Sequence, residues 1–128
     1  MKIEDGRVLE LRIIIDMKSL DHENNDLKSH LRNEDFFEVN TFTTATFELL
    51  KPIIITNNTA ILVGNMTIKN ITKEEIIKAK ISNKSLSFSH IMNRTIYGIK
   101  FNSPSFFKKI NENAIADEFI LEGRLIFQ

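Results

Sequence analysis

His22, Asp26 and His30 stand four residues apart, the spacing that places side chains on one face of a helix. Two imidazoles and a carboxylate so arranged could hold Zn²⁺ at bond lengths of about 2 Å. No fourth ligand or outer partner for the imidazoles is evident nearby, so a solvated helix face opposite Leu27 and Leu31 is the preferred reading. The surrounding run, DHENNDLKSHLRNE, has the acidity of a calcium loop. It lacks the central glycine, however, and carries Arg32 where the bidentate glutamate belongs. No metal and no other cofactor is expected.

His90, Asn93 and Arg94 form a second set, at the end of an apolar strand. They could make a polar rim beside a hydrophobic interior. Alternatively, His90 is a satisfied core histidine and Arg94 a surface charge. Nucleophilic catalysis has little to draw on, since there is no cysteine, no glycine-rich phosphate loop and no serine in a nucleophile elbow. An enzyme built on His90 and Arg94 ranks last, because acid–base work needs paired, positioned groups. The Asn-X-Thr triplets beginning at Asn57, Asn65, Asn70 and Asn93 fit chance in an asparagine-rich chain better than glycosylation.

The elements that must position these groups are strands. A length of 128 residues predicts a single domain over 1–128, large enough to bury a core without disulfides or metal. With 17 basic and 17 acidic side chains the chain is neutral, which argues against a general nucleic-acid partner because counterion release needs surplus Lys and Arg. No stretch approaches the roughly 18 apolar residues of an integral membrane segment. Residues 1–12 lack the apolar stretch of a secretory signal, so a cytoplasmic location is expected, or a periplasmic one if a further N-terminal segment precedes. Abundant isoleucine, phenylalanine and threonine fit pleated, half-buried surfaces.

Alternation locates the strands. Residues 8–17 (VLELRIIIDM) read as one strand with Leu9, Leu11, Ile13, Ile15 and Met17 on one face, after a turn at Asp5-Gly6. Asn24 or Asn25 caps a short helix carrying Leu27 and Leu31. Phe36 and Phe37 are adjacent, cannot share a helix face, and are expected to fold across an apolar opening. Further strands are expected at 42–50, 53–55, 60–69, 75–81 and 86–92, and from Phe119 to the end of the chain, with turns at Asn57-Asn58 and 70–74. Leu62, Gly64, Met66 and Ile68 share one face, as do Leu86, Phe88, His90 and Met92. Ser103-Pro104 opens a helical turn with Phe106, Phe107 and Ile110. Closely spaced strands separated by turns predict an all-β sandwich or barrel with one or two short helices.

An ordered series of segments gives a more specific expectation. IDMKSLD (15–21), HLRNEDFFEV (30–39), FTTATF (42–47), GNMTIKNITK (64–73), NRTIYGI (93–99) and IADEFIL (115–121) together resemble the YceI-like family over nearly the whole chain. The resemblance implies a lipocalin-like antiparallel β-barrel holding a polyisoprenoid or other long-chain lipid, as carrier or sequestering agent. Ile13, Ile15, Phe47, Leu62, Met66, Ile68, Phe88, Met92, Phe119 and Leu121 would line its lumen. Phe36 and Phe37 would plug or gate the mouth, and a polar or anionic head group would lie near His90, Asn93 or Arg94. Such a tunnel must be dry, because each buried methylene contributes about 0.8 kcal/mol.

The sequence departs from the family pattern in three ways. Two further strands and a hairpin usually precede the segment matched here, so the barrel is expected to be incomplete on that side. Thr43 stands for the customary proline, and Asn70 for the usual turn glycine, an exchange asparagine tolerates at positive φ. Many members are exported, whereas residues 1–12 carry no signal. An open barrel exposes strand edges, so a homodimer covering the gap is expected. The competing reading is a barrel packed solid with Phe and Ile, acting as a β-scaffold through protein–protein contact.

Overall fold

Alternating segments become strands, and residues at positive φ set their register. The computed structural model describes residues 1–100 and 117–126. β1 (Lys2–Glu4) and β2 (Arg7–Glu10) form a hairpin through Asp5 and Gly6, at φ 53° and 72°. β5 (Ile53–Ile54) pairs with β2 to complete a three-stranded sheet. The main sheet holds β3 (Arg12–Asp16), β4 (Thr44–Leu49), β6 (Thr59–Ile68), β7 (Ile71–Ile81), β8 (Ser85–Asn93) and β9 (Glu118–Ile126). Its order is β3-β4-β6-β7-β8-β9, antiparallel throughout, and it curls into a half-barrel.

Two-residue turns in which both φ values are positive match the twist of paired strands. Lys69 and Asn70, at 50° and 64°, join β6 to β7 in this way. The expected turn over 70–74 is thus shorter, and β7 begins at Ile71. Asn57 and Asn58, at 51° and 60°, make the turn into β6.

The strand expected over 8–17 is divided at Leu11. There the chain leaves the small sheet and enters the large one, and the Leu11 carbonyl accepts a hydrogen bond from Leu49 N at 2.9 Å. The corner inserts one residue into the alternation. Val8, rather than Leu9, is therefore fully buried, while Ile13 keeps its expected place. One buried cluster joins both sheets, with Val8, Phe47, Leu62, Met66 and Ile77 at its centre. Each such side chain contributes about 1.5–3 kcal/mol by leaving water.

α1 (Asn25–Leu31) is capped by Asn24, whose Oδ1 accepts from the N–H groups of Asp26 and Leu27 at 3.0 and 3.1 Å. The following loop is tied down by Lys69, whose Nζ donates to the carbonyls of Glu34 and Phe36 at 3.2 and 2.7 Å. Two 3₁₀ turns complete the described chain, at Met17–Ser19 and Arg94–Tyr97. The helical turn expected from Ser103-Pro104, with Phe106, Phe107 and Ile110, lies outside the described residues.

Candidate functional site

The concave face of the half-barrel is apolar because every second residue of β3, β4, β6, β7 and β8 points there. Of the lumen candidates, Phe36, Phe47, Leu62 and Met66 have no accessible surface. Ile13, Phe37, Ile68, Phe88 and Met92 are also buried, whereas Ile15, Phe119 and Leu121 are partly buried at the cluster's margin. Two glycines let aromatic rings lie flat on this face. A Cβ on Gly64 would stand 2.5 Å from Phe47 Cζ, and one on Gly123 would stand 2.5 Å from Phe88 Cζ. Phe37 packs edge-on against Phe119 with ring centroids 5.1 Å apart, so the loop after α1 is pinned to β9.

One compact polar set interrupts this face. β7 and β8 are paired in register from Ala79↔Phe88 to Ile81↔Leu86, and towards the other end they part. The 3₁₀ turn Arg94–Tyr97 comes up against β7 there. Glu75 points inward with Ile77 and Ala79. Its Oε1 accepts from His90 Nε2 at 2.9 Å and its Oε2 from the Tyr97 hydroxyl at 2.6 Å. Burial, reinforced by the Glu75 carboxylate, pushes the Tyr97 hydroxyl far above its ordinary range, so it remains a donor.

Arg94 lies beside this set, 2% exposed. Its Nη1 donates to the Ile99 carbonyl at 2.8 Å, and its guanidinium lies 5.0 Å from the Phe36 ring centroid. Desolvation lowers its pKa, and the charge of buried Asp117 acts in the opposite sense. The Arg94 N–H also donates to the Asp117 carbonyl at 2.8 Å.

The structure thus brings His90 and Arg94 to one region. Asn93 has a different duty: its exposed side chain caps the 3₁₀ turn, accepting from Thr95 N at 2.9 Å and Thr95 Oγ1 at 2.6 Å. Glu75, Tyr97 and Asp117 were not among the sequence candidates. For Glu75 a signal existed, since alternation through Ile77, Ala79 and Ile81 places it inward. His22, Asp26 and His30 do not converge. His22 Nδ1 accepts from Asn24 N at 2.9 Å, while His30 Nε2 stands 3.4 Å from Asp35 Oδ2. Among the described residues no group of three or more His, Cys, Asp or Glu side chains could hold a metal ion. No helix among them is long and apolar enough to cross a membrane.

A curled antiparallel sheet with an apolar concave face defines a lipocalin-like half-barrel. The YceI-like domain model matches residues 2–127, and the chain belongs to that family. A UPF0312 protein of Staphylococcus aureus is 32% identical over 111 residues, covering 78% of this chain and 62% of that protein. The chain spans 37–62% of the length of the curated relatives it matches. The crystal structure of Burkholderia cenocepacia BcnA superposes with a TM-score of 0.74 at 16% identity, covering 93% of this chain and 74% of that one. The Campylobacter jejuni YceI protein gives 0.69 at 20% identity, covering 91% and 70%. At these identities the two structures establish the fold.

Proposed function

We propose that this chain is a binding protein for a polyisoprenoid or similar long-chain amphiphile, held along the concave face as cargo or in store. The observation that carries this reading is the chemistry of that face: apolar side chains from five strands surround one polar set, Glu75, His90 and Tyr97. A hydrocarbon chain suits the first and a hydrogen-bonding head the second. Arg94 and Asp117 offset each other's charge and Glu75 is anionic, so the region has no cationic surplus to attract an anion. The head group this favours is uncharged. Glu75 accepts one hydrogen bond on each oxygen, from His90 and from Tyr97, and keeps a second lone pair on each for a donor on the head group.

Phe36, Phe47, Leu62 and Met66 have no accessible surface without a ligand, so a bound chain must displace side chains rather than enter a standing tunnel. The same burial favours a second reading, a filled β-scaffold acting through protein–protein contact. Solvent extraction of the purified, folded protein followed by mass spectrometry separates the two. A co-purified long-chain lipid, or saturable uptake of an added polyprenol, is the expected result. Repeated empty extracts together with no uptake would overturn the carrier reading.

A further inference from the structure

A net charge of zero conceals a separation of charge along the strands. Residues 16–38, which close β3 and form the first 3₁₀ turn, α1 and the loop after it, carry seven Asp and Glu against three Lys and Arg. Lys69 ties that loop to the β6–β7 turn, so this acidic segment lies at one end of the main sheet. The opposite end, about 30 Å away along β6, holds the Asn57-Asn58 turn and the turn between β7 and β8, where Ser82 N donates to the Ser85 carbonyl at 2.8 Å.

On the convex face at that second end, register gathers cations. Thr59, Lys80, Ser87 and Arg124 stand at one level across β6, β7, β8 and β9. Lys80 and Arg124 are two strand spacings apart, about 10 Å. Lys78 lies one outward step along β7 and pairs with Ile61, while Lys84 sits in the turn beside Ser85, the partner of Ile126. All four cations are exposed. The acidic side chain among them is Glu122, next to Arg124 on the outward side of β9. Ile61 and Ile126 add apolar surface to the same patch, at 46% and 76% exposure.

We infer that this end of the convex face docks on the surface of an anionic lipid bilayer. Four cations against one carboxylate complement a plane of phosphodiester head groups, and the acidic segment at the far end turns that end away from it. Ile61 and Ile126 stand where apolar side chains can enter between the head groups. A nucleic acid fits less well. The large exposed apolar side chains among the described residues are aliphatic, so they offer no ring on which a base could stack, and four cations fall short of the roughly six to ten phosphate contacts typical of duplex binding. Four is about the smallest cluster that holds a protein at an anionic surface, so the attachment is weak, reversible and sensitive to salt. A carrier that exchanges cargo with a bilayer needs such a contact; that use rests on the binding reading above, whereas the contact itself does not.

Co-sedimentation of the 128-residue chain with vesicles tests this, using phosphatidylcholine alone and phosphatidylcholine with about 30% phosphatidylglycerol, at about 50 mM salt. Binding to the anionic vesicles is expected, with little on the neutral ones and little at about 500 mM salt. Lys80→Glu with Arg124→Glu should lower the partition coefficient by about tenfold or more. Lys18→Glu with Lys28→Glu changes the net charge equally but at the acidic end, and should lower it by about twofold at most. Ile61→Ser should weaken binding at low salt. Absence of binding to the anionic vesicles overturns the proposal. So does an equal loss in the two double variants, which would make net charge rather than this surface responsible. Tighter binding to a duplex DNA oligonucleotide at equal phosphate concentration overturns it in favour of a nucleic-acid partner. The vesicles contain no polyprenol, so a failure here bears on docking alone and leaves cargo binding to the extraction experiment.

Discussion

Replacing Phe37 by alanine should move stability and ligand binding in opposite directions. The side chain is buried and makes an edge-on contact with Phe119 at 5.1 Å. Truncating a buried phenylalanine costs about 3–5 kcal/mol, and the partly buried partner Phe119 points to the lower end, about 3 kcal/mol. A domain with 5–15 kcal/mol of total stability remains folded after that loss. If the ring occupies space a lipid chain must take, the same energy is part of what binding has to overcome. Apparent affinity is the intrinsic affinity scaled by the population of the open form, so removing a 3 kcal/mol closure raises it by at most about 150-fold. Urea unfolding at 25 °C gives the first quantity, and titration with a fluorescent polyprenol analogue gives the second. Lower stability with tighter binding is the expected pair. Lower stability with weaker binding would refute the displacement argument and make Phe37 part of the bound ligand's wall. Phe37→Leu, which keeps more of the buried volume, should show both effects in reduced form.

Gly64→Ala should cost about 1–3 kcal/mol by overpacking. Its Cβ would stand 2.5 Å from both Phe47 Cζ and the Glu48 carbonyl oxygen, so moving the ring alone gives only partial relief; Phe47→Leu in the same chain should recover part of the loss in a urea titration. Tyr97 gives a pH prediction whose sign follows from its raised pKa in the folded state. Its contribution is fully present below about pH 10, the unfolded value, and is lost as pH rises above it, because the unfolded chain gives up that proton first. Unfolding midpoints measured from pH 8 to 11.5 should fall above pH 10, and Tyr97→Phe should flatten that limb. At Asn70, φ is 64°, so Asn70→Gly should be neutral or slightly stabilising, while Asn70→Val should destabilise by about 1–2 kcal/mol, read as a shift in the thermal midpoint.

Where one face of a strand is buried, sequence and structure agree. Leu62, Gly64, Met66 and Ile68 share the inward side of β6 as alternation requires, and a one-residue slip would turn all of them outward. Asn57-Asn58 and Asp5-Gly6 were legible as turns because their residue types tolerate positive φ. The corner at Leu11 was not legible. Residues 8–17 are apolar enough to read as one strand, and only pairing with β4 and β5 shows where the chain changes sheets. The site was half legible for a related reason. His90 and Arg94 declared themselves as polar residues beside an apolar run. Glu75 instead looked like one more charge on a strand, since nothing local reveals that Tyr97, 22 residues later, is brought back to meet it.

That meeting bears on how an amphiphile's head could be held. Where β7 and β8 part, backbone pairing between them is lost, and Glu75, His90 and Tyr97 tie the strands and the 3₁₀ turn together instead. The carboxylate a head group would use already holds the barrel at this point. Each carboxylate oxygen of Glu75 accepts one of these hydrogen bonds and keeps a second lone pair, so an incoming hydroxyl can donate to Glu75 beside His90 and Tyr97. A head group that only accepts hydrogen bonds, such as a ketone or an ester carbonyl, has nothing to donate to Glu75. Among ligands of equal chain length, those ending in a hydroxyl should bind more tightly, and the preference should shrink in Glu75→Gln, where the anionic acceptor is gone.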